Sequence, residues 1–167
     1  MQQKPGSPDV KKKRARSRLG WTMVHAGTTI GVVWASPLTL FGLFLSIPAL
    51  VARDGKLSLI RHQTPALLIT SPLVDRVLSR HPLSGVTAMA LGHLVIAKRH
   101  ELSTRLLEHE LTHVRQAARW GIAFPLVYCA ASVWQQCRGR RAYWDNVFEV
   151  DARKAERHAE PERPVKR

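Results

Sequence analysis

The sequence predicts an α+β domain that is mostly helical, contains a small sheet and follows a long apolar segment. Three observations support this fold class. Residues 21–52 contain no Asp, Glu, Lys or Arg. Residues 56–98 consist of short apolar runs separated by turn residues, which is typical of strands. After residue 101 the apolar residues recur at helical spacing, so the second half of the domain is expected to be helical.

Composition and length divide the chain into four parts. With 167 residues, of which 45% are hydrophobic, the chain is expected to hold one folded domain and is not disordered throughout. We assign a basic, disordered leader to residues 1–20, an apolar segment to 21–53, the folded domain to 54–159 and a disordered tail to 160–167. The two cysteines are too few for a disulfide framework or a Cys-only zinc site.

Positive charge is concentrated in the leader. The chain has 26 Lys and Arg against 12 Asp and Glu, and seven of these cations lie in the first eighteen positions. Such an arm can bind nucleic acid through phosphate contacts. It directly precedes an uncharged apolar stretch, however, which is the arrangement that anionic lipid and the positive-inside rule favour. We therefore expect anionic lipid headgroups, and not nucleic acid, as the partner of the leader.

The apolar segment, residues 21–53, is expected to attach the protein to a membrane. Its denser part, residues 30–52, is long enough to cross a hydrocarbon core of about 30 Å as one helix. The charge of the leader predicts a cytoplasmic N-terminus. Pro37 and Pro48 would split such a helix, so a hairpin dipping into one leaflet is the alternative. A buried hairpin in a soluble core remains a further alternative, whereas the length of the segment disfavours a cleaved signal peptide.

The remaining elements follow from local patterns. Strands of about five residues are predicted within 56–62, 65–72 and 85–98, with a helical turn at 75–79. A helix of about twenty residues is predicted from Glu101 to near Gly121. The apolar residues 122–134 predict a core helix, and a last helix is predicted to begin at Asp145 or Asn146.

The predicted helix after residue 101 contains an H-E-x-x-H pattern formed by His109, Glu110 and His113. Residues at i and i+4 lie on the same side of a helix, so the two imidazoles can bind one cation while Glu110 reaches a water molecule beside it. Zinc suits two imidazoles, one carboxylate and an open fourth position. Glu110 would then act as the general base in hydrolysis of a peptide bond. Alternatively, the two histidines are merely hydrogen-bonded or solvated at one helix edge.

The third ligand is predicted to be Glu149, at the start of the last helix. Because Glu149 also stands three residues after Asn146, the pair fits a capping box, and the carboxylate could instead cap the helix. Asp151 or Asn146 could orient an imidazole. The weaker ligand candidates are Glu108, Asp145, Asp151 and Glu156.

The segment LLEHELTHVRQ, residues 106–116, resembles the active-site helix of zincin metallopeptidases. It is most similar to bacterial peptidase-like domains of unknown function whose helix reads H-E-L-x-H-x-x-Q. The segment FEVDARKA, residues 148–155, is similar to the gluzincin pattern in which a Glu ligand is followed three residues later by Ala. The resemblance covers about residues 89–155, and it implies a zincin-like fold and a bacterial protein.

The resemblance implies His109, His113 and Glu149 as zinc ligands and Glu110 as the base. The chain departs from the gluzincin pattern at Arg153, where these proteins usually have Asp. In zincins an edge strand beside the active-site helix can pair with a peptide substrate. Residues 92–97 are the candidate for that strand, although a plain core strand fits them equally well.

Several other residues near the pattern have possible roles. Tyr128 and Tyr143 are candidate donors to a developing oxyanion. His93 is expected to be packed or solvated and not a ligand, and Gln116 is expected to bond neighbouring backbone. The aromatic residues of this half are expected to be core residues or anchors at a membrane interface; they are Trp120, Phe124 and Trp134.

Together these features predict a zinc-dependent peptidase in the bacterial cytoplasmic membrane. The main alternative is a non-catalytic, membrane-anchored binding or scaffold protein that keeps a structural or vestigial metal site. A third alternative is a binder of nucleic acid or lipid surfaces that acts through its basic leader.

Overall fold

The computed structural model of the chain describes residues 31–51, 54–61, 64–81 and 85–159. These residues form a mixed structure of helices and one four-stranded sheet. The predicted leader, the predicted tail and residues 21–30 of the apolar segment lie outside the described residues.

Nine regular elements and one short 3-10 turn make up the described chain. The first helix, α1, covers Gly31–Val51. The strands are β1 (Lys56–Ile60), β2 (Ala66–Thr70), β3 (Ala88–Leu91) and β4 (Leu94–Ala97), and the short helix α2 (Pro72–Ser79) follows β2. The later helices are α3 (Thr104–Trp120), α4 (Phe124–Cys137) and α5 (Val147–His158), with the 3-10 turn Gly121–Ala123 between α3 and α4. All three predicted strand regions contain strands, and the predicted helical turn extends to a full eight-residue helix.

The strand order of the sheet is β1-β2-β4-β3, with β2 and β4 parallel and the other pairs antiparallel. Because successive side chains in a strand point to opposite faces, the sheet supplies two cores. On one face Ile69 and Leu94 pack with residues of α1 and α2. On the other face Ala66 and Val95 pack against α3. The sheet is therefore a middle layer between helices.

The position of β4 corrects one expectation. Residues 92–97 were candidates for an edge strand, but β4 lies between β2 and β3 and is hydrogen-bonded on both sides. The edge strand beside α3 is β3, Ala88–Leu91. The parallel pairing of β2 with β4 decides this order, and it joins residues that are far apart in the sequence.

The described part of the apolar segment is one continuous helix. Pro37 and Pro48 lie on the exposed side of α1 and do not split it into two pieces. By length and composition α1 is able to cross a membrane. Its other side packs on the domain through small buried residues, which are Gly31, Ala35, Gly42, Ser46 and Ala49.

The small residues of α1 allow close contact with the β3–β4 hairpin. Gly42 lies against the side chains of Leu91 and Leu94. Gly92 has a positive φ of 62°, and a Cβ there would lie 2.5 Å from the Thr39 hydroxyl oxygen. That hydroxyl accepts a hydrogen bond of 2.9 Å from the backbone N–H of His93. The hairpin turn and α1 therefore fit together only because Gly92 has no side chain.

The second half of the domain is helical, as predicted. The helix α4, however, is not the expected core helix, because none of its residues is buried. It contacts the rest of the protein on one side only and exposes most of its apolar side chains.

Candidate metal centre

Helix α3 presents His109 and His113 on its buried side. Its N-terminus is capped by Ser103, whose hydroxyl accepts a hydrogen bond of 3.1 Å from the N–H of Leu106. Leu111 and Val114 on the same helix pack against the sheet. The helix is therefore fixed both at its end and along its side, and the two histidines, four residues apart, point the same way.

Helix α5 presents Glu149 towards these histidines. The side chain of Asn146 caps α5 by accepting a hydrogen bond of 3.0 Å from the N–H of Phe148. Asn146 also donates to the Ser132 hydroxyl and to the carbonyl of Tyr128, which ties α5 to α4. The capping alternative for Glu149 is not what the structure shows, because its carboxylate points at the two imidazoles.

The three side chains bring their ligand atoms to one place. The Nε2 atoms of His109 and His113 are 3.3 Å apart. His113 Nε2 lies 3.2 Å from Oε1 of Glu149, and His109 Nε2 lies 3.5 Å from Oε2. Their side chains are largely buried, with exposed fractions of 11%, 11% and 4%. These three residues form a group that can hold a metal ion.

The spacing of the ligand atoms suits a tetrahedral ion. Zinc bonds to nitrogen and oxygen are about 2.0–2.1 Å long, which places neighbouring ligand atoms of a tetrahedron about 3.3–3.4 Å apart. Oε2 of Glu149 is also buried without a hydrogen-bond partner. A buried carboxylate oxygen without a partner costs free energy, and a cation among the three groups would remove that cost. The residues therefore fit a metal such as zinc.

Two further side chains hold the imidazoles in orientation. Nδ1 of His113 donates to Oε1 of Gln116 at 2.8 Å, and Gln116 in turn donates to the carbonyl of Phe148 at 3.0 Å. Nδ1 of His109 donates to Oε2 of Glu156 at 3.3 Å. A proton on each Nδ1 leaves the lone pair of each Nε2 free for a metal.

These two orienting roles were not predicted from the sequence. Gln116 does bond backbone, as expected, but that backbone belongs to α5. Glu156 was considered only as a weaker ligand candidate. Its position two turns after Glu149 on α5 was the signal that could have revealed its role. Asp151 accepts a hydrogen bond of 3.4 Å from Gln116, and Asn146 serves as the cap of α5.

Glu110 lies beside the group without belonging to it. Its side chain is buried and accepts a hydrogen bond from the backbone N–H of Ala90 on β3. Burial raises the pKa of Glu110, although the nearby imidazoles of His113 and His109 act in the opposite direction. A carboxylate with a raised pKa next to a metal group is suited to accept and hold a proton.

Glu149 carries a negative charge in this surrounding. Burial acts to raise its pKa, but the adjacent imidazoles of His109 and His113 outweigh burial and hold the pKa well below its usual range. The phenol of Tyr128 donates to Oε1 of Glu149 at 2.8 Å. Burial and the neighbouring carboxylate of Glu149 raise the pKa of Tyr128. The same two causes raise the pKa of Tyr143. Both phenols therefore stay protonated near neutral pH and keep an O–H that can donate a hydrogen bond.

The guanidinium of Arg153 lies beside the group. Its Nη1 lies 3.7 Å from Oε2 of Glu149, and its guanidinium stacks 4.9 Å from the ring centre of Trp144. Nη2 donates to the carbonyl of Trp144. Nη1 itself is buried without a hydrogen-bond partner. The position at which the sequence departs from the gluzincin pattern thus places positive charge against the third ligand candidate.

The other candidate residues lie apart from the group of ligand atoms. Among the described residues, Glu108, Asp145 and Asp151 do not join the three side chains that can hold a metal. His93 is buried elsewhere, with Nδ1 2.9 Å from the carbonyl of Pro65. It is packed, as expected, and is not a member of the group.

Comparison with known proteins adds no assignment. The chain matches no protein-family model, no curated protein and no solved structure. Function is therefore inferred from the chemistry of the residues themselves.

Proposed function

We propose that the protein is a membrane-associated, zinc-dependent peptidase with a zincin-like active site. The observation that supports this most is the convergence of His109, His113 and Glu149, with ligand atoms 3.2–3.5 Å apart, beside the buried carboxylate of Glu110. Zinc, when bound, supplies positive charge that polarises a carbonyl and lowers the pKa of a coordinated water to about 7.

The residues of the chain would carry the proton transfers. Glu110 would take the proton of the attacking water and pass it to the leaving amine, a role that its burial and raised pKa suit. Gln116 and Glu156 would keep both imidazoles in the tautomer that binds metal. The edge of β3, next to α3, offers backbone groups to an extended peptide.

A second candidate function is a non-catalytic scaffold with a vestigial metal site. Arg153, 3.7 Å from Oε2 of Glu149, favours this alternative, because a cation beside a ligand competes with a metal for the same carboxylate. The two functions predict different behaviour of the same variants.

The decisive experiment measures metal content and peptide hydrolysis of the purified full chain. We expect about one zinc per chain in the wild type, loss of zinc in His109→Ala, and retained zinc in Glu110→Gln. Hydrolysis of a mixture of fluorogenic peptides should fall by roughly 100- to 10,000-fold in Glu110→Gln. Absence of bound zinc would overturn the peptidase, and zinc binding without any wild-type hydrolysis would favour the scaffold.

A further inference from the structure

The helix α4 is apolar on both sides, because the rings of Phe124 and Tyr128 pack inward against Phe148 and its outer side is also apolar. Most of its exposed residues are apolar and recur at helical spacing, with Gln136 near the C-terminus as the exposed polar residue; the apolar ones include Pro125, Leu126, Cys129, Ala130, Val133 and Trp134. Leu126 is 75% exposed and Val133 58%. The inner side carries the polar groups of Tyr128 and Ser132, which bond to α5. A soluble domain normally places the apolar stripe inward, so the outer side of α4 is expected to meet an apolar partner.

The 3-10 turn that leads into α4 lies against α1. Trp34 of α1 lies directly against Gly121, where an added Cβ would meet the indole ring. Ile122, the next residue, is 57% exposed. The outer side of α1 is itself apolar, with Val33 and Phe44 each 68% exposed. We call the exposed apolar side chains of α1 and α4 together the apolar platform.

Positive charge borders the apolar platform. Helix α4 contains no Asp, Glu, Lys or Arg, and it is followed at once by Arg138, Arg140 and Arg141, all exposed. The guanidinium of Arg138 stacks 4.5 Å from the ring centre of Trp134. Trp and Arg at the edge of an apolar surface are typical of the headgroup region of a bilayer. No acidic residue occurs from residue 111 to 144.

This charge distribution selects the partner. A second copy of the chain would bring a second set of arginines to the same border, where like charges repel. An anionic phospholipid bilayer offers both apolar chains and negative headgroups. We propose that the apolar platform is a monotopic binding surface for an anionic phospholipid bilayer, immersed in one leaflet. This proposal rests on the membrane association in the proposed function and extends it to α4.

The packing of α1 sets how the platform is immersed. The inner side of α1 contacts the β3–β4 hairpin at Gly42 and Gly92. If α1 crossed the bilayer in this arrangement, the hairpin would enter the hydrocarbon with it, and the open edge of a sheet is not tolerated there. Helix α4, with 14 residues, is about 21 Å long and too short to cross. Both helices therefore lie in the plane of the membrane.

The immersion brings the metal centre close to the lipid. Tyr128, on the inner side of α4, contacts Glu149 at 2.8 Å. A helix is about 10 Å across, so the centre lies roughly that far from the lipid. The substrate class that follows is a peptide segment held at the membrane surface.

The two native cysteines provide the test, because Cys129 and Cys137 are both exposed and both lie on α4. The full chain, labelled there with an environment-sensitive fluorophore, is mixed with vesicles of phosphatidylcholine and phosphatidylglycerol. We expect quenching by doxyl groups on the lipid chains and little quenching by iodide in the water. The control carries serines at both positions and Lys154→Cys, on the charged and exposed side of α5; it should show the reverse.

Three results would overturn the proposal. Iodide would quench both labels equally if α4 faced water. A label protected from iodide but not reached by doxyl groups would mean that protein covers α4. Binding to pure phosphatidylcholine as tight as to the anionic vesicles would remove the role of the arginines.

A double variant provides an independent test. The double variant Leu126→Glu and Val133→Glu should bind anionic vesicles at least about ten-fold more weakly, since charged side chains are costly in hydrocarbon. Unchanged circular dichroism would show that it still folds, and unchanged vesicle binding would overturn the proposal. None of these measurements depends on peptide hydrolysis or on zinc. A failure of the membrane proposal can therefore be distinguished from a failure of the proposed peptidase activity.

Discussion

The interface between α3 and α5 buries polar side chains, whereas the interface between α1 and the sheet buries small and apolar ones. His109, Gln116 and Glu149 are buried in the first, while Ala35 and Leu94 are buried in the second. Buried polar groups cost free energy unless each has a partner, whereas apolar contacts need only a close fit. We therefore expect a bound ion to stabilise the interface between α3 and α5, whereas the α1–sheet interface depends on close packing.

Removing the metal is expected to have the largest effect, and only on α3 and α5. With zinc at 1,000 times its dissociation constant, chelation should lower the free energy of local opening of α3 and α5 by about 4 kcal/mol. Without a cation the two Nε2 atoms face each other at 3.3 Å, and Oε2 of Glu149 has no partner. Hydrogen exchange should therefore accelerate in α3 and α5 far more than in β2 and β4. An equal acceleration in both regions would contradict the comparison.

The second prediction concerns a substitution that affects only the α1–sheet interface. Gly92→Ala should lower the free energy of unfolding by about 3 kcal/mol, because it combines a positive φ with a clash against the backbone and hydroxyl of Thr39. Gly139→Ala is the matched control. Gly139 has a similar φ of 69° and no atom within 4 Å of an added Cβ, so only the conformational cost of about 1 kcal/mol remains.

Denaturant unfolding followed by circular dichroism measures both glycine variants. Zinc affinity should be the same in Gly92→Ala as in the wild type, because Gly92 contacts α1 and not the metal centre. A fall in zinc affinity as large as the fall in stability would mean that the two interfaces are coupled.

The third prediction concerns the orientation of His113. Gln116→Ala should weaken zinc binding by roughly 10- to 100-fold, because the variant removes the acceptor that fixes the tautomer and the ring of His113. Gln136→Ala, on the exposed side of α4, is the matched control and should leave zinc affinity unchanged. Competition with a fluorescent chelator measures both. Equal affinities in the two variants would show that Gln116 has no orienting role.

The sequence predicted the local features of this molecule well. The strands, α3 and α5 follow from spacing within one segment, and the i, i+4 rule alone places His109 and His113 side by side. Glu149 was the preferred third ligand, and the structure brings it to the two imidazoles. Its role as a ligand, and the zinc itself, stay predictions, because the structure shows only that the group can hold a metal.

The features that the sequence did not predict depend on distant contacts. The apolar sequence of α4 is compatible both with a core helix and with a helix that faces lipid. Only the packing of the helix in the structure distinguishes the two. The position of β4 inside the sheet follows from its parallel pairing with β2. The continuity of α1 through Pro37 and Pro48 depends on the side on which the prolines lie, which the pattern alone does not show.

The smallest effect is expected for Glu156→Gln. Glu156 accepts from Nδ1 of His109 at 3.3 Å, but its side chain is 40% exposed, so water screens the interaction and can replace the carboxylate as acceptor. Zinc affinity should therefore fall by less than about ten-fold, clearly less than in Gln116→Ala. Measured with the same chelator competition, a larger fall than that of Gln116→Ala would show that solvent does not reach this pair. The polar interface would then be closed along its whole length, and its dependence on the metal would extend to the last turn of α5.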